Sequence, residues 1–266
     1  MSTAYLLGDS DPELRRLSDQ HLVWSEVTHA GWRRAGLRAR ERVLDVGCGP
    51  GFTTVELARL VGPAGSVVGL DPSPRFNAYL DEVLRAGDLG HVERHEASID
   101  TFEDLDGFDL IHVRWVLCFL PDVDAAIRKL ASLLRPGGRL VTLDYFNYAA
   151  FAMAPRIETM ASVVAAIGAA WDQSGGSLDV QGETPRACEA AGLEVTQIEQ
   201  ISGTARPGEP RFRWPQSFLE GFVPRLVADG LLTRDIADQF WAGWHARVST
   251  PGAFLYLPPM LQIIAR

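Results

Sequence analysis

Apolar runs and polar breaks alternate along the first half of the chain and predict repeated strand–helix units. Arg42–Val46 is a short apolar run that enters a glycine-rich turn, and a helical pattern follows at once over Thr53–Leu60. Four further strand patterns come at Ser66–Asp71, up to His95, at Phe108–Arg114 and at Arg139–Asp144. Strands that alternate with helices indicate a parallel sheet with helices on both faces, so the pattern predicts a doubly wound α/β fold.

The second half adds two strand patterns and several helical segments. Leu193–Glu199 and Met260–Ala265 are predicted strands. The last one is expected to begin only at Met260, because Pro258 and Pro259 are unsuited to pairing in the middle of a sheet. Residues 1–40 are predicted to form an N-terminal helical cap, with a helix from about Asp11 to Leu37. Residues 41–266 then form a Rossmann-like domain. Helical insertions at about 145–178 and 203–250, the latter with patterns over Pro215–Asp229 and Thr233–Val248, are expected to form a lid and an acceptor pocket.

The turn after the first strand has glycine at three alternate positions, in the order Gly47, Cys48, Gly49, Pro50, Gly51. Glycine leaves no side chain, so backbone at such a turn can lie directly against a ligand. Dinucleotide folds place the third glycine one position later, where this chain has Phe52. The spacing therefore disfavours a nicotinamide dehydrogenase.

A carboxylate ends the second strand pattern. Asp71 lies 20 residues after Gly51, where an acid can accept hydrogen bonds from both hydroxyls of an adenosine ribose. The alternative is that Asp71 caps the helix that begins near Pro72, because Asp is a good N-cap and Pro suits the first turn. Both roles are compatible with the spacing, and the glycine turn upstream favours the ribose.

Residues from about 40 to 145 resemble the class I S-adenosylmethionine-dependent methyltransferases of small molecules. Asp45 with the G-x-G-x-G turn resembles their first motif, and FDLIHVRWVLCFLPD with LLRPGGRLVTLD resembles the later ones. The resemblance implies a mostly parallel seven-stranded sheet with an antiparallel last strand, and S-adenosyl-L-methionine as cofactor. A weaker likeness at the N-terminus adds Tyr5 and Gln20. The implied cofactor contacts are Tyr5, Gln20, Asp45, Gly47, Cys48, Gly49, Asp71, Pro72, Glu96, Ala97, Ser98 and Arg114.

The implied reaction is methyl transfer to a small, apolar or aromatic acceptor. Alternatives are a cofactor-binding protein with other chemistry or a regulatory role. The family often has histidines after strand four, where this chain has Cys118 and Phe119, so no catalytic residue is assigned. Candidate bases by position are Tyr145 and Tyr148, just past strand five, and more weakly His21, His29 and His245.

Composition narrows the class of partner. A net charge of −9 over 266 residues argues against a nucleic acid substrate, which requires clustered basic side chains. The arginines near the N-terminus are expected on solvated helix faces: Arg15, Arg16, Arg33, Arg34, Arg38 and Arg40. Three scattered cysteines predict neither a metal site nor a disulfide framework. With no leader or membrane-spanning pattern, we expect a cytoplasmic enzyme, possible as a homodimer.

Overall fold

A computed structural model describes residues 6–266, and ten strands are present in that range. In chain order they are β1 (Arg42–Val46), β2 (Ser66–Leu70), β3 (Val92–His95), β4 (Phe108–Arg114), β5 (Leu134–Tyr145), β6 (Ala152–Ala154), β7 (Val195–Ile201), β8 (Thr204–Ala205), β9 (Phe254–Tyr256) and β10 (Met260–Ala265). Seven of them form one sheet in the order β3-β2-β1-β4-β5-β10-β7. Strand β10 is antiparallel to both neighbours, whereas β1 to β5 are parallel. The doubly wound sheet with its antiparallel last strand is confirmed.

Eight α-helices connect and cover the strands. They are α1 (Asp11–Arg34), α2 (Phe52–Val61), α3 (Pro74–Ala86), α4 (Val123–Ser132), α5 (Met160–Ser174), α6 (Thr184–Ala190), α7 (Pro210–Ala228) and α8 (Arg234–Val248). Short polar side chains fix several starts: the side chains of Ser73, Asp122 and Thr233 accept backbone N–H groups in the first turns of α3, α4 and α8.

Both faces of the large sheet are buried, because successive side chains of a strand point to opposite faces. On β1, Val43 belongs to a cluster with Trp32 of α1 and Leu57 of α2, whereas Leu44 belongs to the larger cluster on the other side. All four side chains are at most 2 % exposed. Burial of each such side chain contributes roughly 1.5–3 kcal/mol, so α1 is part of the folded core.

Some predicted boundaries are wrong for physical reasons. Helix α1 ends at Arg34 rather than Leu37, because Gly36 takes a left-handed conformation (φ 71°). Residues 135–138 (Arg-Pro-Gly-Gly), a sequence typical of a helix end and turn, lie inside β5, so this strand begins at Leu134 rather than at the predicted Arg139, and its register to β4 shifts between Phe108 and Leu110. Helix α7 begins at Pro210, five residues before the predicted Pro215, since proline is tolerated in a first turn.

The small sheet of β6, β9 and β8 was not predicted. Its strands have only two or three residues each, so they carry no periodicity that a sequence pattern could detect. It joins the two helical insertions to the segment that leads into β10.

Candidate functional site

The glycine turn lies between β1 and α2, and its three glycines all have positive φ: 62° at Gly47, 54° at Gly49 and 83° at Gly51. A Cβ on Gly47 would lie 2.3 Å from Val116 Cγ2, and one on Gly51 would lie 2.3 Å from Leu80 Cδ1. A Cβ on Gly49 would meet only Phe76 Cδ2, at 4.0 Å. Two of the glycines are thus required by packing within the protein, and the side-chain direction of Gly49 faces open space.

Asp71 lies directly against this open position. The N–H of Gly49 donates to Asp71 Oδ2 at 2.9 Å, and the N–H of Ser73 donates to Asp71 Oδ1 at 2.9 Å. Burial raises the pKa of Asp71 in spite of these donors. Ser73, not Asp71, is the N-cap of α3, so the predicted alternative of a helix cap at Asp71 is wrong. Pro72 is exposed beside it.

Asp45 is buried beneath the turn. Its Oδ2 accepts the hydroxyls of Thr53 at 2.8 Å and Thr54 at 2.7 Å, which ties the end of β1 to the first turn of α2. Burial raises its pKa to about 6, against the hydrogen bonds of the two threonines. Asp45 therefore holds the turn in shape. The neighbouring Cys48 is a buried free thiol.

The loop after β3 starts beside Asp71, whose N–H donates to the carbonyl of His95 at 3.1 Å. Glu96 is exposed, whereas Ala97 packs on the core. The carbonyl of Ser98 accepts the N–H groups of the next turn, at residues 101 and 102. The predicted loop residues therefore follow the strand next to the carboxylate.

An aromatic cleft opens at the tip of β4, next to the glycine turn. Its empty volume is about 500 Å³ when the open solvent at its mouth is included. Trp115 forms part of its wall in a left-handed conformation (φ 53°), one residue before the Val116 side chain that packs on Gly47. The aromatic lining residues are Trp115, Phe119, Tyr145, Tyr148, Trp171, Trp214 and Phe218. We refer to this space as the aromatic cleft.

The aromatic residues of α7 and α8 fall into two groups, one in the cleft and one in the core. Trp214 and Phe218 line the aromatic cleft, whereas Phe222, Phe240 and Trp244 are at most 4 % exposed in the core. His245 is exposed and stacks on Trp241, with a centroid separation of 5.9 Å; it does not line the cleft.

Tyr145 and Tyr148 lie on the wall of the aromatic cleft with their rings edge to face at 5.1 Å. Burial raises the pKa of both phenols above the ordinary value, so each keeps its proton at neutral pH. Such hydroxyls act as hydrogen-bond donors rather than as general bases. The carboxylate of Asp144 accepts the N–H groups of Tyr145 and Cys118, at 2.8 and 3.1 Å, and so joins the loop after β4 to the end of β5.

Helix α1 closes the cleft from above through Arg16 and Gln20, which both line it. The Arg16 guanidinium donates to both carboxylate oxygens of Glu13, at 2.6 and 2.7 Å, and to Gln20 Oε1 at 2.8 Å. Gln20 Oε1 also accepts the Trp214 indole N–H at 2.9 Å, which ties α1 to α7. The predicted solvated position is wrong for Arg16, because its side chain is only 12 % exposed. Tyr5 lies outside the described residues.

Arg114 and His21 belong to a buried polar network, and neither lines the aromatic cleft. The Arg114 guanidinium donates to Thr28 Oγ1 at 2.9 Å and lies 3.3 Å from His21 Nδ1. The carboxylate of Glu56 contacts both His21 and His29, with distances of 3.3 Å from Oε1 to His21 Nε2 and 2.8 Å from Oε2 to His29 Nε2. Burial lowers the pKa of Arg114 to about 10. His21 and His29 thus contact α2 and β4, not the acceptor side.

Within residues 6–266 no group of His, Cys, Asp and Glu side chains is arranged to hold a metal ion. In the same range, none of the helices has the length and apolar character needed to cross a bilayer.

A family of methyltransferase domains matches residues 43–138, which run from β1 into β5 and include the glycine turn, Asp71 and the tip of β4. The chain contains a class I methyltransferase domain. Relatives of this domain include the ubiquinone/menaquinone biosynthesis C-methyltransferases of Vibrio vulnificus and Pseudomonas putida, each 34% identical, over 125 and 130 residues. These matches cover 44% and 46% of this chain, and the chain spans about half the length of these curated relatives (48% and 51%).

Solved structures share the fold of this chain. Geranyl diphosphate C-methyltransferase from Streptomyces coelicolor has a TM-score of 0.58 at 18% identity, with 95% of this chain and 82% of that one covered. SpnF, a 4+2 cyclase, has a TM-score of 0.58 at 20% identity, with 91% and 79% covered. At these identities the likeness establishes the fold alone.

Proposed function

We propose that this chain binds S-adenosyl-L-methionine beside Gly49 and Asp71 and transfers its methyl group to a small apolar or aromatic molecule in the aromatic cleft. The observation that carries the proposal is the position of Gly49. Its side-chain direction is open, its N–H is held by Asp71, and the glycine turn packs on the residue after Trp115 of the cleft wall. An adenosyl group and an acceptor would therefore meet at the tip of β4.

The cofactor supplies an activated methyl group on a sulfonium. Asp71 accepts hydrogen bonds from the ribose hydroxyls through the carboxylate that already holds Gly49. Gly47, Cys48 and Asp45 shape the turn, Pro72 and the loop of Glu96, Ala97 and Ser98 flank the adenine, and Gln20 lies toward the methionine end. Arg114 contributes the backbone of the β4 tip, since its side chain is committed to Thr28 and His21.

The protein's contribution to the transfer is alignment and exclusion of water. Holding two reactants in line supplies roughly 7–11 kcal/mol of a barrier. The phenols of Tyr145 and Tyr148 keep their protons, and the residues from 6 onward that line the cleft include no histidine or carboxylate. This favours an acceptor that is already nucleophilic. The relatives named as C-methyltransferases support a carbon atom of a small molecule as the acceptor. The net charge of −9 argues against a nucleic acid.

Residues 1–40 and the insertions at 145–178 and 203–250 act as the cap and lid of this site. Two observations support this role. The hydrogen bond between Trp214 and Gln20 joins α7 to α1, and Tyr148, Trp171 and Phe218 of the insertions lie in the cleft wall. Product release then requires α1 and α7 to separate.

The second candidate is a protein that binds the cofactor without methyl transfer. The observation that favours this candidate is a cyclase with the same fold, since a fold alone does not determine the reaction. The test is incubation with methyl-tritiated cofactor and a panel of phenols, quinols and amines. Label in an extracted acceptor supports transfer. Tight cofactor binding by calorimetry without label in any acceptor supports the second candidate, and absence of cofactor binding refutes both.

A further inference from the structure

The aromatic cleft contains polar hydrogens that have no partner in the described part of the chain. Trp115 is 9 % exposed, and its indole N–H is buried without a hydrogen-bond acceptor. Trp171 also lines the cleft, and its indole N–H is likewise buried without an acceptor. The side chains of Tyr145 and Tyr148 line the same cleft, and their hydroxyls make no hydrogen bond to any described residue. A buried donor without an acceptor costs roughly 1–3 kcal/mol, so the two buried indoles indicate a ligand that supplies acceptors.

The other polar groups of the lining are already engaged or are donors. Arg16 is paired with Glu13 and Gln20, and Gln20 Oε1 accepts from both Arg16 and Trp214. No carboxylate is present among the described residues that line the cleft. An indole N–H can only donate, and protonated phenols donate readily. The lining therefore complements an oxygen atom with lone pairs.

An aromatic lining also suits a quaternary ammonium, which would bind on the ring faces. Here the Arg114 guanidinium carbon already lies 5.2 Å from the centroid of the Trp115 ring. Arg16 brings a second positive group to the lining, and like charges repel. A cationic ligand is thus disfavoured relative to a neutral or anionic one.

We propose that Trp115, Tyr145 and Tyr148 form an oxygen-binding subsite that holds a phenolic or carbonyl oxygen of an aromatic acceptor. This inference rests on the proposed function, which requires a methyl acceptor, and it adds the chemical class of that acceptor. The three donors sit on the tip of β4 and the end of β5, next to the turn of Gly47. The subsite fixes the orientation of the aromatic ring by its oxygen, and the remaining rings of the cleft contact its apolar part.

The test compares two probes of nearly equal shape, 2-naphthol and 2-methylnaphthalene, on protein with and without S-adenosylhomocysteine. Calorimetry should give 2-naphthol the lower Kd, although the methyl compound is the more apolar. Trp115→Phe, Tyr145→Phe and Tyr148→Phe remove one donor each and keep a ring. A hydroxyl oxygen has two acceptor lone pairs, so Trp115→Phe and at least one of the tyrosine variants should each raise the Kd of 2-naphthol about 3- to 10-fold, the scale of one net hydrogen bond. All three variants should leave the Kd of 2-methylnaphthalene unchanged.

Tyr256→Phe is the matched control, because Tyr256 lies on β9 and does not line the cleft. If Trp115→Phe fails to fold, the two tyrosine variants carry the test. The subsite would be overturned by equal Kd values for the two probes, or by variants that bind both probes as tightly as the unsubstituted protein. It would also be overturned if phenyltrimethylammonium bound more tightly than 2-naphthol, or if no probe bound at millimolar concentration. A folded Trp115→Phe protein with an unchanged Kd for 2-naphthol would also overturn the subsite, because the indole N–H would then face the neighbouring ring of Trp24 instead of the ligand. None of these readings requires methyl transfer, so failure of the proposed activity is seen separately in the label assay.

Discussion

Replacing Gly49 by alanine adds one methyl group at the position on which the proposed cofactor site depends. The new Cβ would lie 4.0 Å from Phe76 Cδ2 and otherwise in open space, so the fold itself accommodates it. The cost to folding is the left-handed backbone alone (φ 54°), roughly 1–2 kcal/mol for a residue with a side chain. If the cofactor occupies that space, the methyl group overlaps it and weakens binding by about 1–3 kcal/mol, or about 5- to 150-fold.

Gly62→Ala is the matched control for this experiment. Gly62 also has a positive φ (71°) with nothing within 4 Å of its Cβ position, but it lies at the far end of α2. Its ψ of 178° lies in a region that is essentially restricted to glycine, so thermal unfolding should show a loss of stability for both variants and the larger loss for Gly62→Ala. Calorimetric titration with S-adenosylhomocysteine should show weakened binding in Gly49→Ala only. A folded Gly49→Ala protein that binds as tightly as Gly62→Ala would refute the assignment of the crevice.

Three further predictions follow from buried polar groups. Asp71→Ala should raise the Kd of S-adenosylhomocysteine by about 1.5–3 kcal/mol in free energy, the scale of hydrogen bonds to a charged group, and an unchanged Kd by calorimetry would confine Asp71 to supporting the turn. The folded-state pKa of Asp45 is raised to about 6, so protonation of Asp45 stabilises the fold, and the protein should lose about 1.4 kcal/mol of stability between pH 5 and pH 7.5. Urea unfolding at both pH values should show that the Asp45→Asn variant lacks this loss, and an equal pH dependence of the two proteins would contradict the prediction. Trp32→Phe should cost about 1–3 kcal/mol in urea unfolding, because it removes the donor at 3.2 Å from the buried His112 Nδ1, whereas the half-buried Trp241→Phe serves as control.

Much of the sheet was predictable because its strands are buried and bounded by strong breakers. The structure has β4 at Phe108–Arg114 and β10 at Met260–Ala265, the residues that the apolar pattern indicated. Gly107 with positive φ precedes the first, and Pro258–Pro259 precede the second. Local sequence fails at residues 135–138, which lie inside β5 although they contain a proline and two glycines. Strand β5 pairs with β4 at Leu134 and again from Arg139, across a register shift that no local pattern reveals.

The site was less predictable because it is assembled from distant segments. Gln20 and Trp214 form one hydrogen bond across the mouth of the cleft, 194 positions apart. In the sequence, Arg16 is one of several arginines predicted on solvated helix faces. Its burial beside Glu13 depends on the tertiary fold. The left-handed conformation of Trp115 also has no signal in its own sequence, since a bulky residue rarely adopts it. Aromatic residues in α7 and α8 were detectable, but the sequence does not distinguish core from cleft.

The most direct test of the central claim is a crystal structure with bound S-adenosylhomocysteine. We expect the ribose hydroxyls on the Asp71 carboxylate, the nucleoside against the Cα of Gly49, and the sulfur directed into the aromatic cleft near Trp115. A nucleoside bound away from Asp71, or a sulfur separated from the cleft by the tip of β4, would contradict the proposed site.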